Sequence, residues 1–290
     1  MKHVPVLLNE VIESLRLKSG YNVVDCTVGD GGHCEKILEA IGPRGKLLGI
    51  DADQESLLRA KKYLYKFGER VVFARDNFVN LKKIVQENNF EKVRGILVDL
   101  GWSSPQFQER GRGFSFQKEE VLDMRYNPNS DSPTAKELLN NLSEKELEKI
   151  FREYGEEKNS RKIAKLIVDT RKDREIKTTT DLVNIVEKVN KQGKIHPATR
   201  VFQALRIAVN DELGVLKNVL PDAVDVLELG GRLSVITFHS LEDRIVKHYF
   251  KSQAGKSIKI INKKPITCSP EEYERNPRAR SAKLRIIEKV

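Results

Sequence analysis

Residues 22–33 read NVVDCTVGDGGH: an apolar run ends on Asp25, and Gly29, Gly31 and Gly32 surround Asp30 before His33. Glycines behind a strand let backbone approach a ligand closely, and such clusters usually cradle nucleotide phosphates. This loop instead carries two carboxylates, and Cys34 stands where the last glycine of G-x-G-x-x-G would be. Carboxylates repel phosphate and attract cations. S-adenosyl-L-methionine has an ammonium, a sulfonium and a ribose diol but no phosphate, and it matches this set. Asp25 or Asp99 would face its cationic methionine portion. Asp51, about twenty residues beyond the loop, falls where an acid reads ribose hydroxyls in nucleotide-binding sheets. Phe78, just after Asp76, offers either a face for adenine or an ordinary core residue. A tight turn that holds no ligand is the simplest alternative for the loop.

A second group follows the fourth apolar run, in DLGWSSPQFQERGRGFSF. Asp99 and the hydroxyls of Ser103 and Ser104 stand where substrate and cofactor would meet; loop capping is the other use of such serines. Methyl transfer is an in-line displacement, so holding nucleophile, methyl carbon and sulfur collinear supplies most of the acceleration. An amino nucleophile also needs acceptors for its N–H groups, and carboxylate and hydroxyl both serve. Methyltransferases acting on exocyclic base nitrogens often carry Asp/Asn-Pro-Pro-aromatic at this place; here the string is Asp99-Leu-Gly-Trp-Ser-Ser-Pro. His239, in TFHSLEDR, closes the fifth apolar run and would orient a base, accept a proton, or serve the structure alone. No His or Cys spacing matches a metal site.

These residues need a frame. YNVVDCTV, GKLLGIDAD, RVVFARDNF and VRGILVDLG are strand-length apolar runs, separated by helical segments. That alternation predicts a parallel sheet covered on both faces, which binds ligands at the carboxyl ends of its strands. Asp25, Asp51, Asp76 and Asp99 all sit at such ends. After residue 107 the pattern turns wholly helical. SPTAKELLNN predicts a helix with Ser132 as N-cap and Pro133 in first position. SEKELEKIFREYG carries a Ser143/Glu146 capping box, with Leu147, Ile150, Phe151 and Tyr154 on one face. Strands return in GGRLSVITF, SIKIINKK and AKLRIIEKV, and the last two lie too close for a parallel crossover, so they predict an antiparallel pair. The expected organisation is a Rossmann-like α/β core from residues 1–107 and 213–290, interrupted by a helical domain over 108–212. A mostly parallel sheet with an antiparallel end suits a class I methyltransferase better than a dinucleotide dehydrogenase.

The 290 residues are 39% hydrophobic and 32% charged, with a formal charge of +10. Excess Lys and Arg favour a polyanionic partner through counterion release. No apolar stretch approaches the roughly 20 residues that span a bilayer. Three cysteines, Cys26, Cys34 and Cys268, form no C-x-x-C pair. A reduced, cytoplasmic, metal-free protein is expected.

The chain resembles the ribosomal RNA small subunit methyltransferase H family, which methylates N4 of a cytidine in 16S rRNA. The matching strings run throughout: His3-Val-Pro-Val-Leu-Leu, Gly31-Gly32-His33, Asp99-Leu-Gly, Ser103-Ser104-Pro-Gln106, Arg112-Gly-Phe-Ser-Phe116, Leu122-Asp-Met-Arg125, Tyr154-Gly-Glu-Glu157, His196-Pro-Ala-Thr-Arg200, Phe202-Gln-Ala-Leu-Arg206, Phe238-His-Ser-Leu-Glu-Asp-Arg244 and Asn276-Pro-Arg-Ala-Arg-Ser281. The resemblance implies that Gly31, Gly32, His33, Asp51, Phe78, Asp99 and Gln106 contact S-adenosyl-L-methionine. It implies the small ribosomal subunit as partner, and leaves the oligomeric state open, a dimer being one option. Trp102 and Cys34 depart from the usual Val and Ser, and QKEEVLDMR lacks the usual Asp-Gly-Pro.

Basic residues fit the same reading. Arg110 and Arg112 flank a glycine after the fourth strand, Arg200 and Arg206 share a helix, and Arg278 and Arg280 crowd the C-terminal segment with Arg275, Lys283 and Arg285. Converging on one site, they would form a groove for RNA phosphates, with Phe107, Phe114 and Phe116 available to stack an extruded base. Two other classes stay open: an NAD-dependent oxidoreductase using the glycine loop and Asp51, and a non-catalytic RNA-binding assembly factor.

Overall fold

A computed structural model describes residues 4–100, 111–193 and 195–290. The chain divides into two compact units, one formed by Met1–Ser103 with Leu213–Val290 and the other by Ser104–Glu212.

The first unit is built on a seven-stranded sheet of order β3-β2-β1-β4-β5-β7-β6. Its strands are β1 (Asn22–Asp25), β2 (Lys46–Asp51), β3 (Val71–Arg75), β4 (Val93–Asp99), β5 (Leu227–Thr237), β6 (Ile258–Ile260) and β7 (Lys283–Lys289). The first five pair in parallel, whereas β7 runs antiparallel to both β5 and β6. The helices are α1 (Leu8–Leu15), α2 (Gly32–Ala40), α3 (Gln54–Tyr63) and α4 (Leu81–Glu87), and later α10 (Glu212–Val226), α11 (Ser240–Gln253) and α12 (Pro270–Arg275). Continuous apolar strands are explained by burial on both faces. Val24, Leu48, Ile96 and Val98 pack into one core, with Leu81, Leu216, Leu220 and Phe250. Their neighbours Val23, Leu47 and Leu97 point the other way, into a second core with Leu15, Ile37, Leu38 and Leu57.

The order of the strands reverses at β1 and β4. The chain leaves β1 toward β2 on one side and β4 toward β5 on the other, so the loops after β1 and β4 diverge and leave a crevice at their carboxyl ends. Asp25 and Asp99 lie at those two ends.

The second unit holds α5 (Ala135–Asn141), α6 (Glu144–Gly155), α7 (Ser160–Asp173), α8 (Thr179–Glu187) and α9 (Thr199–Asn210). Leu139, Leu147, Phe151, Ile163, Ile167, Leu182, Val186, Phe202 and Leu205 form its core. The expected Ser143/Glu146 box caps α6. The start of α5 corrects the sequence reading: Thr134, not Ser132, is the N-cap, in a reciprocal box with Glu137. Thr134 stands three residues before Glu137, an acid that can return its bond, whereas Ala135 occupies that place after Ser132.

Candidate active site

Asp25, at the end of β1, is fully buried. One of its oxygens accepts from the Thr27 backbone N–H at 3.0 Å and the Thr27 hydroxyl at 3.3 Å. The other accepts from the Cys34 thiol at 3.1 Å. Burial pushes its pKa up and raises the Cys34 thiol well above its ordinary range. Of the two acids offered for the cationic end of a ligand, Asp25 is thus turned inward, where it ties the loop to the first turn of α2. Thr27 extends the tie, since its hydroxyl also accepts the Asp99 backbone N–H at 2.8 Å. The departure to Cys34 keeps a donor at that position.

Gly31 has φ of 87° and caps α2 without any side-chain hydrogen bond. A residue with a β-carbon is strained there, and the bare N-terminus of α2 keeps N–H groups for a ligand. Gly32 is required by space. A β-carbon on it would lie 2.3 Å from Pro5 Cγ.

His33 follows, within the first turn of α2, and is buried. Its Nε2 lies 3.0 Å from the Val6 carbonyl and its Nδ1 3.7 Å from an Asp99 carboxylate oxygen. Burial lowers its pKa, so the ring is neutral at neutral pH. A carbonyl can only accept, which puts the proton on Nε2 and leaves a lone pair on Nδ1. His33 and Asp99 therefore present two acceptors side by side at the crevice.

Asp51, at the end of β2, accepts from Gly29 N–H at 2.9 Å and Asp53 N–H at 2.8 Å. Burial outweighs those bonds and pushes its pKa up to about 6. It therefore joins the first glycine loop to the start of α3, where Asp53 is the N-cap. Asp76 is used differently: one oxygen accepts from Asn77 N–H at 2.6 Å and Asn80 Nδ2 at 2.9 Å, shaping the turn that carries Phe78. Phe78 packs, partly buried, against the first core.

His239 caps α11. Its Nδ1 accepts from Glu242 N–H at 3.4 Å, and Glu242 returns the bond to the His239 backbone. Its Nε2 is 3.0 Å from Glu242 Oε1, close enough to pair yet out of line for a hydrogen bond. Ser103, Ser104, Gln106, Phe107 and Arg110 lie outside the described residues.

Several expected RNA contacts are engaged within their own unit. Arg206 forms a two-pronged pair with Glu212 at 2.8 and 2.9 Å. Arg112 donates to the Arg125 and Tyr126 carbonyls, and Arg200 to the Glu156 carbonyl. Phe114 stacks on Tyr126, and Phe116 stacks on His196 with centroids 4.3 Å apart. Both phenylalanines pack against the helical core, so their faces are occupied there. Arg285 is buried in a two-pronged pair with Asp243 at 2.6 and 3.1 Å. Arg278 and Arg280 differ: both are exposed on the turn Pro277–Ser281, and neither is ion-paired among the described residues.

The sequence reading missed the groups that hold the loop from outside. Thr27 lies inside the quoted motif, but its bond to Asp99 depends on β1 and β4 being neighbours. The segment Val4–Leu7 contributes Pro5 and the Val6 carbonyl; its only signal was the string His3-Val-Pro-Val-Leu-Leu.

Comparisons with known proteins bear on the family and the fold. The profile of the MraW methylase family matches residues 1–290. The chain is 47% identical over 308 aligned positions to the ribosomal RNA small subunit methyltransferase H of Clostridium botulinum, covering 100% of this chain and 99% of the relative. It is 48% identical over 288 positions to the protein of that name from Dictyoglomus thermophilum, covering 99% and 96%. Among solved structures, a provisionally assigned rRNA methylase from Clostridium thermocellum superposes with a TM-score of 0.51 at 14% identity, covering 99% of this chain and 100% of that one. A provisionally assigned methyltransferase from Streptococcus mutans, in complex with SAH, gives 0.50 at 11% identity over 99% and 100%. At such identities these two structures speak for the fold alone, a class I methyltransferase fold.

Proposed function

Because the chain belongs to the MraW methylase family, we propose that it transfers a methyl group from S-adenosyl-L-methionine to the exocyclic N4 of a cytidine in 16S rRNA. The observation that carries this reading is the crevice between β1 and β4, lined by the His33–Asp99 acceptor pair, with Asp51 one strand away.

The residues present fit this cofactor. Its ammonium matches two adjacent acceptors, its carboxylate matches the N–H groups opening α2, and its diol matches Asp51. Each Asp51 oxygen accepts one backbone N–H and keeps a second lone pair for a ribose hydroxyl. Phe78 stands at the adenine end, with Gln106 as the further contact. When bound, the cofactor supplies an electrophilic methyl on a sulfonium. The chain's own task is positioning. Asp99, Ser103 and Ser104 accept from the N4–H groups and so aim the nitrogen lone pair at the methyl carbon. No base is needed beforehand, because the N4 proton can leave after transfer. His239, serving as a helix cap, orients the base-binding end of β5 through α11.

Arg278 and Arg280, with Arg110, contact RNA phosphates in this reading, and the protein works in the cytoplasm on the small ribosomal subunit. Among the described residues, no helix is long and apolar enough to cross a membrane. The direct test is mass mapping of 16S rRNA from cells lacking the protein, with restoration by purified enzyme and cofactor. Loss and recovery of one N4-methylcytidine are expected. Cofactor binding without methyl incorporation into any rRNA would instead identify an assembly factor.

The raised Asp51 pKa sets a pH dependence. The diol needs the ionised carboxylate, and the free protein takes up a proton at Asp51 near pH 6. Binding below that pH must expel the proton, so affinity falls as pH falls. Calorimetry is expected to show roughly tenfold weaker binding at pH 5 than at pH 7.5. Asp51→Asn should bind weakly at both values, with the slope largely gone; an undiminished slope would assign the titration to another group.

A further inference from the structure

The chemistry of the loop leaves one question: what fixes the His33 ring so that an acceptor faces Asp99? The ring is held by the Val6 carbonyl, which belongs to Val4–Leu7, a segment ahead of the first helix. Val6 and Leu7 are buried in the second core, and two residues near the far end of the chain add hydrogen bonds to the segment. Glu272, on α12, accepts the Leu7 backbone N–H at 2.7 Å. Asn276, just after α12 and buried, donates from Nδ2 to the Val4 carbonyl at 3.1 Å. Pro5, between these anchors, lies over Gly32. Leu7 itself has φ of 53°, an unfavourable conformation for leucine that the anchoring compensates.

We propose that Glu272 and Asn276 are positioning residues for cofactor capture. They pin Val4–Leu7, the Val6 carbonyl then takes the His33 Nε2–H, and Nδ1 is left as an acceptor beside Asp99. The imidazole has two neutral tautomers, and the hydrogen bond at one nitrogen decides the state of the other. With the proton on Nε2, Nδ1 and the Asp99 oxygen 3.7 Å away form a cradle for the ammonium of the methionine portion. With the proton on Nδ1, the ring would donate to Asp99 and close that cradle. The pinning thus links strings at both ends of the chain, His3-Val-Pro-Val-Leu-Leu and Asn276-Pro-Arg-Ala-Arg-Ser281, to the glycine loop.

This inference rests on the functional reading above, and its test separates the two. Calorimetry on the full-length protein would compare S-adenosylmethionine with 5′-methylthioadenosine, which keeps the nucleoside and lacks the ammonium end. Glu272→Ala is expected to weaken S-adenosylmethionine about tenfold, with methylthioadenosine unchanged. Glu272→Gln keeps an acceptor oxygen for Leu7 N–H and should restore most of the affinity. Nitrogen-15 spectra of the His33 ring should show the Nε2–H tautomer in the wild type and a mixture in Glu272→Ala. If that variant folds poorly, Asn276→Ser, too short to reach the Val4 carbonyl, should give the same ligand pattern. Unchanged S-adenosylmethionine affinity, or equal losses for both ligands, would overturn the proposal. A wild-type protein that binds neither ligand would instead remove the functional reading.

Discussion

Asp99→Ala is expected to lower methyl transfer by about a thousandfold while leaving the unfolding midpoint within about 2 °C of the wild type. The size follows from charge. A carboxylate about 4 Å from a cation, at the effective dielectric of a partly buried site, contributes roughly 4 kcal/mol, which is about three powers of ten. The stability expectation follows from how Asp99 is held. Its backbone N–H, not its carboxylate, makes the bond to Thr27, so the junction between β1 and β4 survives truncation. Burial raises the Asp25 pKa chiefly, and the Asp99 charge adds a smaller push in the same direction. Removing Asp99 relieves that push. Asp99→Asn keeps the shape and one acceptor oxygen and should fall between wild type and Asp99→Ala. Steady-state kinetics with S-adenosylmethionine varied would show a raised KM from the lost ammonium contact and a lowered kcat from the lost N4–H contact. Wild-type turnover in Asp99→Ala would remove the assigned role.

How far the sequence carried this site depends on what kind of contact each residue makes. The acids at the strand ends were legible because a buried parallel strand is apolar until it reaches the crevice, where a charge can face water or ligand. The antiparallel end was legible because the last two strands leave no room for a crossover helix. Which acid meets the ligand was not. Asp25 and Asp99 end similar strings, and only the folded loop, with Thr27 and Cys34 closing on Asp25, turns one inward. The same limit applies to the arginines. Arg206 and Glu212 are six residues apart, not the helical spacing of four, and they meet only because the chain reverses after α9. His239 was open to better reading, since His239 and Glu242 stand at the N-cap and third-residue spacing of a capping box. The anchoring of Leu7 by Glu272 spans 265 residues, and no local pattern encodes it.

Gly32→Ala should be the most damaging single-methyl change in the first loop, weakening S-adenosylmethionine about a hundredfold. Backbone strain is not the reason: among the loop glycines it is Gly29 and Gly31 that have positive φ, at 53° and 87°. The reason is occupied space. The new β-carbon would meet Pro5 Cγ at 2.3 Å and Cδ at 3.2 Å. A proline ring is rigid, and Pro5 sits between the Val4 and Leu7 anchors, so it cannot swing aside alone. Either Val4–Leu7 lifts or the first turn of α2 shifts, and both separate the Val6 carbonyl from His33. Displacement by about 1 Å in a positioned site costs on the order of a hundredfold, whereas overpacking costs about 1–3 kcal/mol of stability. Affinity should therefore fall much further than folding. Gly29→Ala is the contrast, because nothing lies within 4 Å of its added carbon and only the φ strain remains. The decisive variant is the double substitution Pro5→Ala with Gly32→Ala. It removes Cγ and Cδ and leaves Pro5's own Cβ position 3.6 Å from the added carbon, an ordinary contact. Affinity in the double variant should exceed that of Gly32→Ala alone by about tenfold. If it does not, the collision with Pro5 is not what makes glycine necessary at this position.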